Sequence, residues 1–168
     1  LGSAVEFPED DLPILHSHLL SQRQDIVRLR LVDPSSGPRM SDRLEAIRLL
    51  QAEAGGEIPV MGWVEGALAE AADLRGVSHL MTDLYDDPIW VEELLEFCTQ
   101  QAILFARAQV EAGADIIGMG DAVASQISPA MYERYALLYE KRIFAAVQDM
   151  GALARLHICG NTSRLLSL

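Results

Sequence analysis

The hydrophobic positions change period several times along the chain, and each change marks a predicted element. Residues 1–39 show no sustained period. Glu6-Phe7-Pro8-Glu9-Asp10-Asp11 is a charged, turn-like stretch, and Asp33-Pro34-Ser35-Ser36-Gly37-Pro38 reads as a linker. Ile26, Leu29 and Leu31 leave room between them for a short strand or helix. From Ser41 the pattern becomes regular: Asp42 and Glu45 resemble a capping pair, and Leu44, Ile47 and Leu50 follow at helical spacing up to Gly55-Gly56. Residues 58–64 form an apolar run expected as a buried strand, which feeds through Glu65-Gly66 into a helix ending near Arg75. Gly76-Val77-Ser78-His79 reads as a polar connection.

The best-marked helix starts at Asp87-Pro88, an aspartate cap followed by a proline at the first helical position. Val91, Leu94, Leu95, Cys98, Ala102 and Phe105 share its apolar face, and Gly113 stops it. Cys98 on that stripe is expected to be a buried core thiol. Residues 115–119 form a second apolar strand ending at Gly120-Asp121. Ser128-Pro129 opens a helical region to about Met150 with a break near Leu137. Residues 153–158 form a third strand, after which Asn161 or Thr162 is expected to cap a last helix. Alternating helices and continuously apolar strands imply right-handed crossovers and a parallel sheet covered on both faces. The spacing fits either a doubly wound sheet or part of an eightfold barrel.

Composition narrows the partners. Half of the 168 residues are hydrophobic, enough for a sizeable core, and 25 acidic against 13 basic residues give a net charge of −12. That balance disfavours nucleic acid and anionic membranes, which call for basic patches. Lys141 is the only lysine and is read as a solvated helix residue, so a Schiff-base role and a glycine-rich Walker loop both drop out. Two cysteines, no signal-peptide pattern and no long apolar run make the cytoplasm the default location. The opening at Leu1, without an initiator methionine, suggests a piece of something longer.

In either α/β architecture, chemistry gathers where parallel strands end. That rule selects Glu65, Asp121, and His157 with Cys159. Imidazole and thiolate are preferred zinc ligands, and His157-Ile158-Cys159-Gly160 aims two of them the same way from a strand end. The plainer alternative is a hydrogen-bonded histidine beside an inert thiol. Glu65 fits a metal ligand, a proton donor, or an acidic group at the first turn of a helix. Asp121 fits a substrate-binding group, a carboxylate orienting a ligand histidine, or a cap on the following turn. Gly118-Met119-Gly120-Asp121 fails as a dinucleotide fingerprint because Val123 stands where the third glycine belongs. His16, His18 and His79 are expected at the surface.

Several segments resemble one family in consistent order over roughly residues 40–168. They are Gly62-Trp63-Val64-Glu65-Gly66 with Asp73-Leu74-Arg75-Gly76, then Met81-Thr82-Asp83-Leu84-Tyr85-Asp86-Asp87-Pro88, and then Ala112-Gly113-Ala114-Asp115 through Gly120-Asp121 with Ile127-Ser128-Pro129-Ala130-Met131-Tyr132. They are similar to the uroporphyrinogen decarboxylase superfamily, and His157-Ile158-Cys159-Gly160-Asn161 is similar to the metal motif of its corrinoid-dependent, zinc-containing methyltransferase branch. The resemblance implies a partial TIM-type (β/α)8 barrel. Residues 1–39 would be a lead-in, and residues 40–168 the central part of the barrel, holding about three of its eight strands and truncated at the C-terminus. It implies zinc as cofactor, held by His157 and Cys159 with a further cysteine beyond Leu168. Glu65 and Asp121 would be the catalytic candidates. A methylcorrinoid on a partner protein would be the methyl donor, with a small-molecule thiol or similar acceptor. With the site incomplete, the chain alone would be inactive. The decarboxylase branch and a non-catalytic barrel fragment remain the alternatives; against the former, Gly66-Ala67-Leu68 replaces the proline-phenylalanine-threonine usual after the strand turn. Open sheet edges further imply self-association.

Overall fold

The computed structural model describes residues 2–166. The lead-in contains more structure than its irregular pattern suggests. Two short antiparallel strands, β1 (Val5–Glu6) and β2 (Ile14–Leu15), form a hairpin, and a 3-10 turn spans Arg23–Arg28. Leu20 is fully buried, and its N–H donates to Leu74 O at 2.9 Å. Buried Arg75 reaches the Leu20 and Ser21 carbonyls at 2.8 Å each and pairs with Asp83 at 2.7 Å. Arg23 closes on the same carboxylate at 2.6 Å. The lead-in is therefore anchored by partners far away in sequence.

Helix α1 (Pro38–Ala54) begins earlier than expected, because Gly37 takes the cap position and Pro38 supplies the preset first turn. Asp42 and Glu45 accordingly lie inside the helix. It ends at Gly55, whose φ of 56° is left-handed. Strand β3 (Met61–Glu65) also starts later than the apolar run. Pro59 lacks a ladder N–H, and Val60 is held instead by Asp115, its N–H donating to Oδ2 at 2.8 Å. Helix α2 spans Ala67–Arg75. The expected polar connection after it is in fact the start of helix α3 (Val77–Asp86), which buries Leu80 and Leu84 one turn apart. Gly76, at φ 87°, makes the corner between α2 and α3.

Helix α4 (Pro88–Glu111) starts as expected, Asp87 accepting from the Trp90 N–H at 3.3 Å, and it buries Val91, Leu94, Leu95 and Cys98. Strand β4 (Ile116–Gly120) follows. The next helical region is α5 (Pro129–Tyr132), a π-turn over Glu133–Leu137, and α6 (Leu138–Asp149). Strand β5 covers Leu153–His157. The expected last helix does not form over the described residues: Asn161 Oδ1 accepts from Ser163 N–H in a turn. Ser167 and Leu168 lie outside the described residues.

Strands β3, β4 and β5 form a parallel sheet in that order, with Glu65, Gly120 and His157 in register. One face packs under helices: Val64, Ile117 and Met119 join Ala102 and Ala106 of α4 and Ile143 and Val147 of α6. The expectation that both faces are covered is not met. Met61, Glu65, Leu153, Arg155 and His157 alternate onto the other face and are exposed. Three parallel strands are present and no closed barrel is formed among the described residues. No described helix is long and apolar enough to cross a membrane.

The outer edge of β3 is blocked by a side chain. Buried Gln109 accepts from Trp63 N–H at 2.8 Å and donates to Trp63 O at 3.0 Å, as a neighbouring strand would. Gln101, two turns earlier on α4, holds Val32 in the same two-point way. Gln109→Leu leaves the Trp63 amide and carbonyl without partners, so a loss of about 1–3 kcal/mol is expected in urea denaturation. An unchanged midpoint would show that water replaces the clamp.

Candidate functional site

The open face of the sheet carries the site. Gly118 and Gly120 of β4 form a floor without side chains, and Trp63 lies across it. A Cβ added at Gly118 would sit 2.5 Å from Trp63 Cε3, and one at Gly120 would sit 2.8 Å from Cζ2. The indole N–H donates to Glu65 Oε1 at 3.0 Å, which holds the carboxylate over Gly120. On the far side the Trp63 and His157 rings lie 6.3 Å apart and tilted by 55°. Two strand spacings separate Glu65 from His157, roughly 10 Å between their Cα atoms. The cleft is thus bounded by an acid on β3 and an imidazole on β5, with tryptophan between them.

His157 Nε2 contacts Cys159 Sγ at 3.1 Å, and both residues are exposed at the strand end. Gly160, at φ 93°, turns the backbone away beside Ser125. The His-x-Cys pair therefore converges as its spacing implies. Among the described residues no third His, Cys, Asp or Glu joins it to make a metal-binding group. Cys98 is buried, and burial first of all pushes its thiol well above the usual range. His16, His18 and His79 are exposed, and so is Lys141.

Asp121 is placed differently from Glu65. It is fully buried behind the end of β4, where Oδ1 accepts from the Ala69 N–H at 3.0 Å in the first turn of α2. Gly66 is required there, since a Cβ would lie 2.5 Å from Asp121 Oδ2. The carboxyl thus caps α2 and not the turn that follows Asp121. Its own N–H donates to His157 O at 3.0 Å, so it touches the site through the backbone. Burial, then the neighbouring Glu140, push its pKa up to about 8.

Sequence reasoning missed Glu70. It is half-buried on α2 beside a cavity of about 740 Å³ whose walls include Trp63, Glu65, Arg43, Cys98 and Phe105. Burial, followed by repulsion from Asp73 and Glu65, pushes Glu70 up to about 7, and burial also raises Glu65. The i, i+3 spacing of Glu70 and Asp73 near Glu65 was the available signal. Because the folded pKa of Glu70 lies above its ordinary 4.5, the folded state binds more protons than the unfolded state between these values. Stability should therefore fall as pH rises from about 4.5 to about 7, and Glu70→Gln should flatten that slope. Identical pH–stability curves for the two proteins would contradict the assignment.

Fold and site define an α/β protein that delivers its polar groups from the carboxyl ends of parallel strands. The chain belongs to the uroporphyrinogen decarboxylase (URO-D) family, whose sequence profile matches residues 1–168. It is 34% identical over 158 residues to the methylcobamide:CoM methyltransferase MtbA of Methanosarcina acetivorans, covering 93% of this chain and 46% of that protein. It is 32% identical over 156 residues to the uroporphyrinogen decarboxylase of Nostoc punctiforme, covering 89% of this chain and 43% of that one. A solved methyltransferase from Methanosarcina mazei superposes with a TM-score of 0.84 at 29% identity, over 99% of this chain and 49% of that one. The chain spans about half the length of the curated relatives it matches.

Proposed function

We propose that the natural protein carrying this chain is a zinc-dependent methyltransferase that moves a methyl group from a methylcorrinoid protein to a thiol or similar acceptor. In this reading β3–β5 are about three of the eight strands of a (β/α)8 barrel. The observation that carries it is the 3.1 Å contact of His157 Nε2 and Cys159 Sγ at the end of β5, facing the Trp63–Glu65 pair. Similarity to MtbA, whose name specifies methylcobamide and CoM, supports the same class.

The donor pair fits a zinc ion. Ordinary Zn–N and Zn–S lengths in a tetrahedron put the two donor atoms about 3.5 Å apart, so a side-chain adjustment of roughly half an ångström suffices. His157 and Cys159 would hold the metal, with the remaining ligand supplied from outside the described residues. When bound there, zinc supplies Lewis-acid chemistry that lowers the pKa of an acceptor thiol. Trp63 walls the cleft and keeps the His157 ring in place. Glu65, held by the indole N–H and raised by burial, takes up the proton released by the thiol. Asp121 supports both from behind.

The test uses the longest natural form of the protein with methylcobalamin as donor and a small thiol as acceptor, followed by cobalamin absorbance. Demethylation of the cobalamin with formation of the thioether is expected. Decarboxylation of uroporphyrinogen without methyl transfer would overturn the reading in favour of the decarboxylase branch. As a separate expectation, this 168-residue chain self-associates through β5, which among the described residues pairs with β4 alone. Light scattering that shows a stable monomer would contradict it.

A further inference from the structure

Helix α4 buries a polar side chain where an apolar one would pack. Gln109 is 1% exposed and lies one turn after Phe105. A buried amide costs stability unless its polar atoms find partners. Both atoms of this one do. Oε1 accepts from Trp63 N–H at 2.8 Å, and Nε2 donates to Trp63 O at 3.0 Å and to Phe105 O at 3.3 Å. The bond back to its own helix fixes the amide, and the other two hold the N–H and carbonyl of a single residue.

The sheet is cleared on both faces around Trp63. Alternate strand positions point to opposite faces, so Gly62 and Val64 turn towards the helices. A Cβ at Gly62 would lie 2.6 Å from Gln109 Oε1 and 3.1 Å from its Cδ. Glycine at position 62 is therefore what admits the amide to the strand. On the open face, the indole occupies the space that side chains at Gly118 and Gly120 would fill. Its N–H then donates to Glu65 Oε1 at 3.0 Å. A continuous path runs from Gln109 through the Trp63 backbone and ring to the Glu65 carboxylate.

We propose that Gln109 is a positioning residue that sets the Trp63 ring and, through it, Glu65, and that Gly62 serves to admit it. The proposal deepens the methyltransferase reading, because it rests on Trp63 and Glu65 belonging to the site. Gln109 itself is buried on the helix side of the sheet and touches no substrate. Its role goes beyond that of an edge clamp. Loss of a clamp that only stabilises the sheet loosens the whole protein. Loss of a positioning amide lets Trp63 shift by itself and breaks the indole–Glu65 bond while the rest of α4 holds. Trp90 supplies the internal reference: its indole N–H donates to Arg23 O at 2.9 Å, and it sits about 28 Å from Gln109 along the helix axis.

The experiment follows the indole N–H resonances of Trp63 and Trp90 by heteronuclear NMR in the longest natural form of the protein. Glu65→Ala marks where the Trp63 signal lies once its acceptor is gone. Gln109→Met keeps the side-chain length and removes both hydrogen bonds to Trp63. It is expected to move the Trp63 signal most of the way to that mark and to leave Trp90 in place. Gly62→Ala keeps Gln109 and only pushes its amide aside, so the same displacement is expected. In a Gln109→Ala background the added methyl meets no amide, and Gly62→Ala should then add less than about a third of the shift it causes alone. A folded Gln109→Met or Gly62→Ala protein with the parental Trp63 signal would overturn the proposal, and so would equal displacement of Trp63 and Trp90. If the Gln109 variants do not fold, Gly62→Ala decides the matter by itself. No readout needs zinc or methyl transfer, so a failure of the methyltransferase reading would be seen separately, in the cobalamin assay.

Discussion

Asp83→Ala is expected to destabilise the protein by about 3–5 kcal/mol, as removal of one partner from a buried ion pair does. Asp83 is 2% exposed and accepts from Arg75 Nε at 2.7 Å and Arg23 Nε at 2.8 Å. Burial pushes its carboxyl up, and hydrogen bonds from the two guanidiniums more than reverse that, leaving it below the usual carboxylate range. Alanine would strand the Arg75 guanidinium, 7% exposed, against the Trp90 ring at 5.5 Å. The same change would remove the shortest ion pair of Arg23 and loosen the lead-in, leaving Arg23 to Asp86 and Asp87 at 3.8 and 3.5 Å. Urea denaturation checks the magnitude, and limited proteolysis checks whether residues 2–30 detach first. A loss below about 1 kcal/mol would mean that the cluster is solvated like a surface pair.

On the proposed zinc-methyltransferase reading, Cys159→Ala should lower methyl transfer in the natural protein by more than about 100-fold. Outer-shell partners of a metal ligand already account for losses of about 10–100-fold, and a ligand itself counts for more. His157→Ala should behave alike. Neither change should cost much stability, because both side chains are exposed and outside the two hydrophobic cores. Steady-state rates and thermal melts on the same samples separate the two effects. A Cys159→Ala enzyme with parental turnover would remove the thiolate from the mechanism.

The elements whose apolar period is unbroken were legible in the sequence. The Val91–Cys98 stripe of α4 and the run behind β4 needed only local pattern and caps, whereas Arg155 and His157 interrupt the run behind β5. Helix α3 was overlooked although Val77, Leu80, Met81 and Leu84 recur at helical spacing, because Ser78 and His79 directly after Gly76 read as a polar turn. The order in the lead-in was hidden for another reason: Arg23 and Asp83 meet across 60 residues, and Val32 is held by Gln101 across 69. The phase shift around Leu137 was visible only as a break, although it is a π-turn that aligns Tyr132 with Glu140. For the candidate site, the strand-end rule selected Glu65, Asp121, His157 and Cys159, and the structure places them at or just after the ends of β3, β4 and β5. It could not separate open Glu65 from buried Asp121, since that distinction depends on which side of the sheet the helices cover. Glu70 and Glu140 escaped for the same reason, as acids buried by distant packing.

Elemental analysis of the reduced, purified natural protein tests the zinc-thiolate site most directly. About one zinc per chain, lost in the Cys159→Ala variant, is the expected result. A natural protein that is active in methyl transfer yet carries no zinc would contradict it.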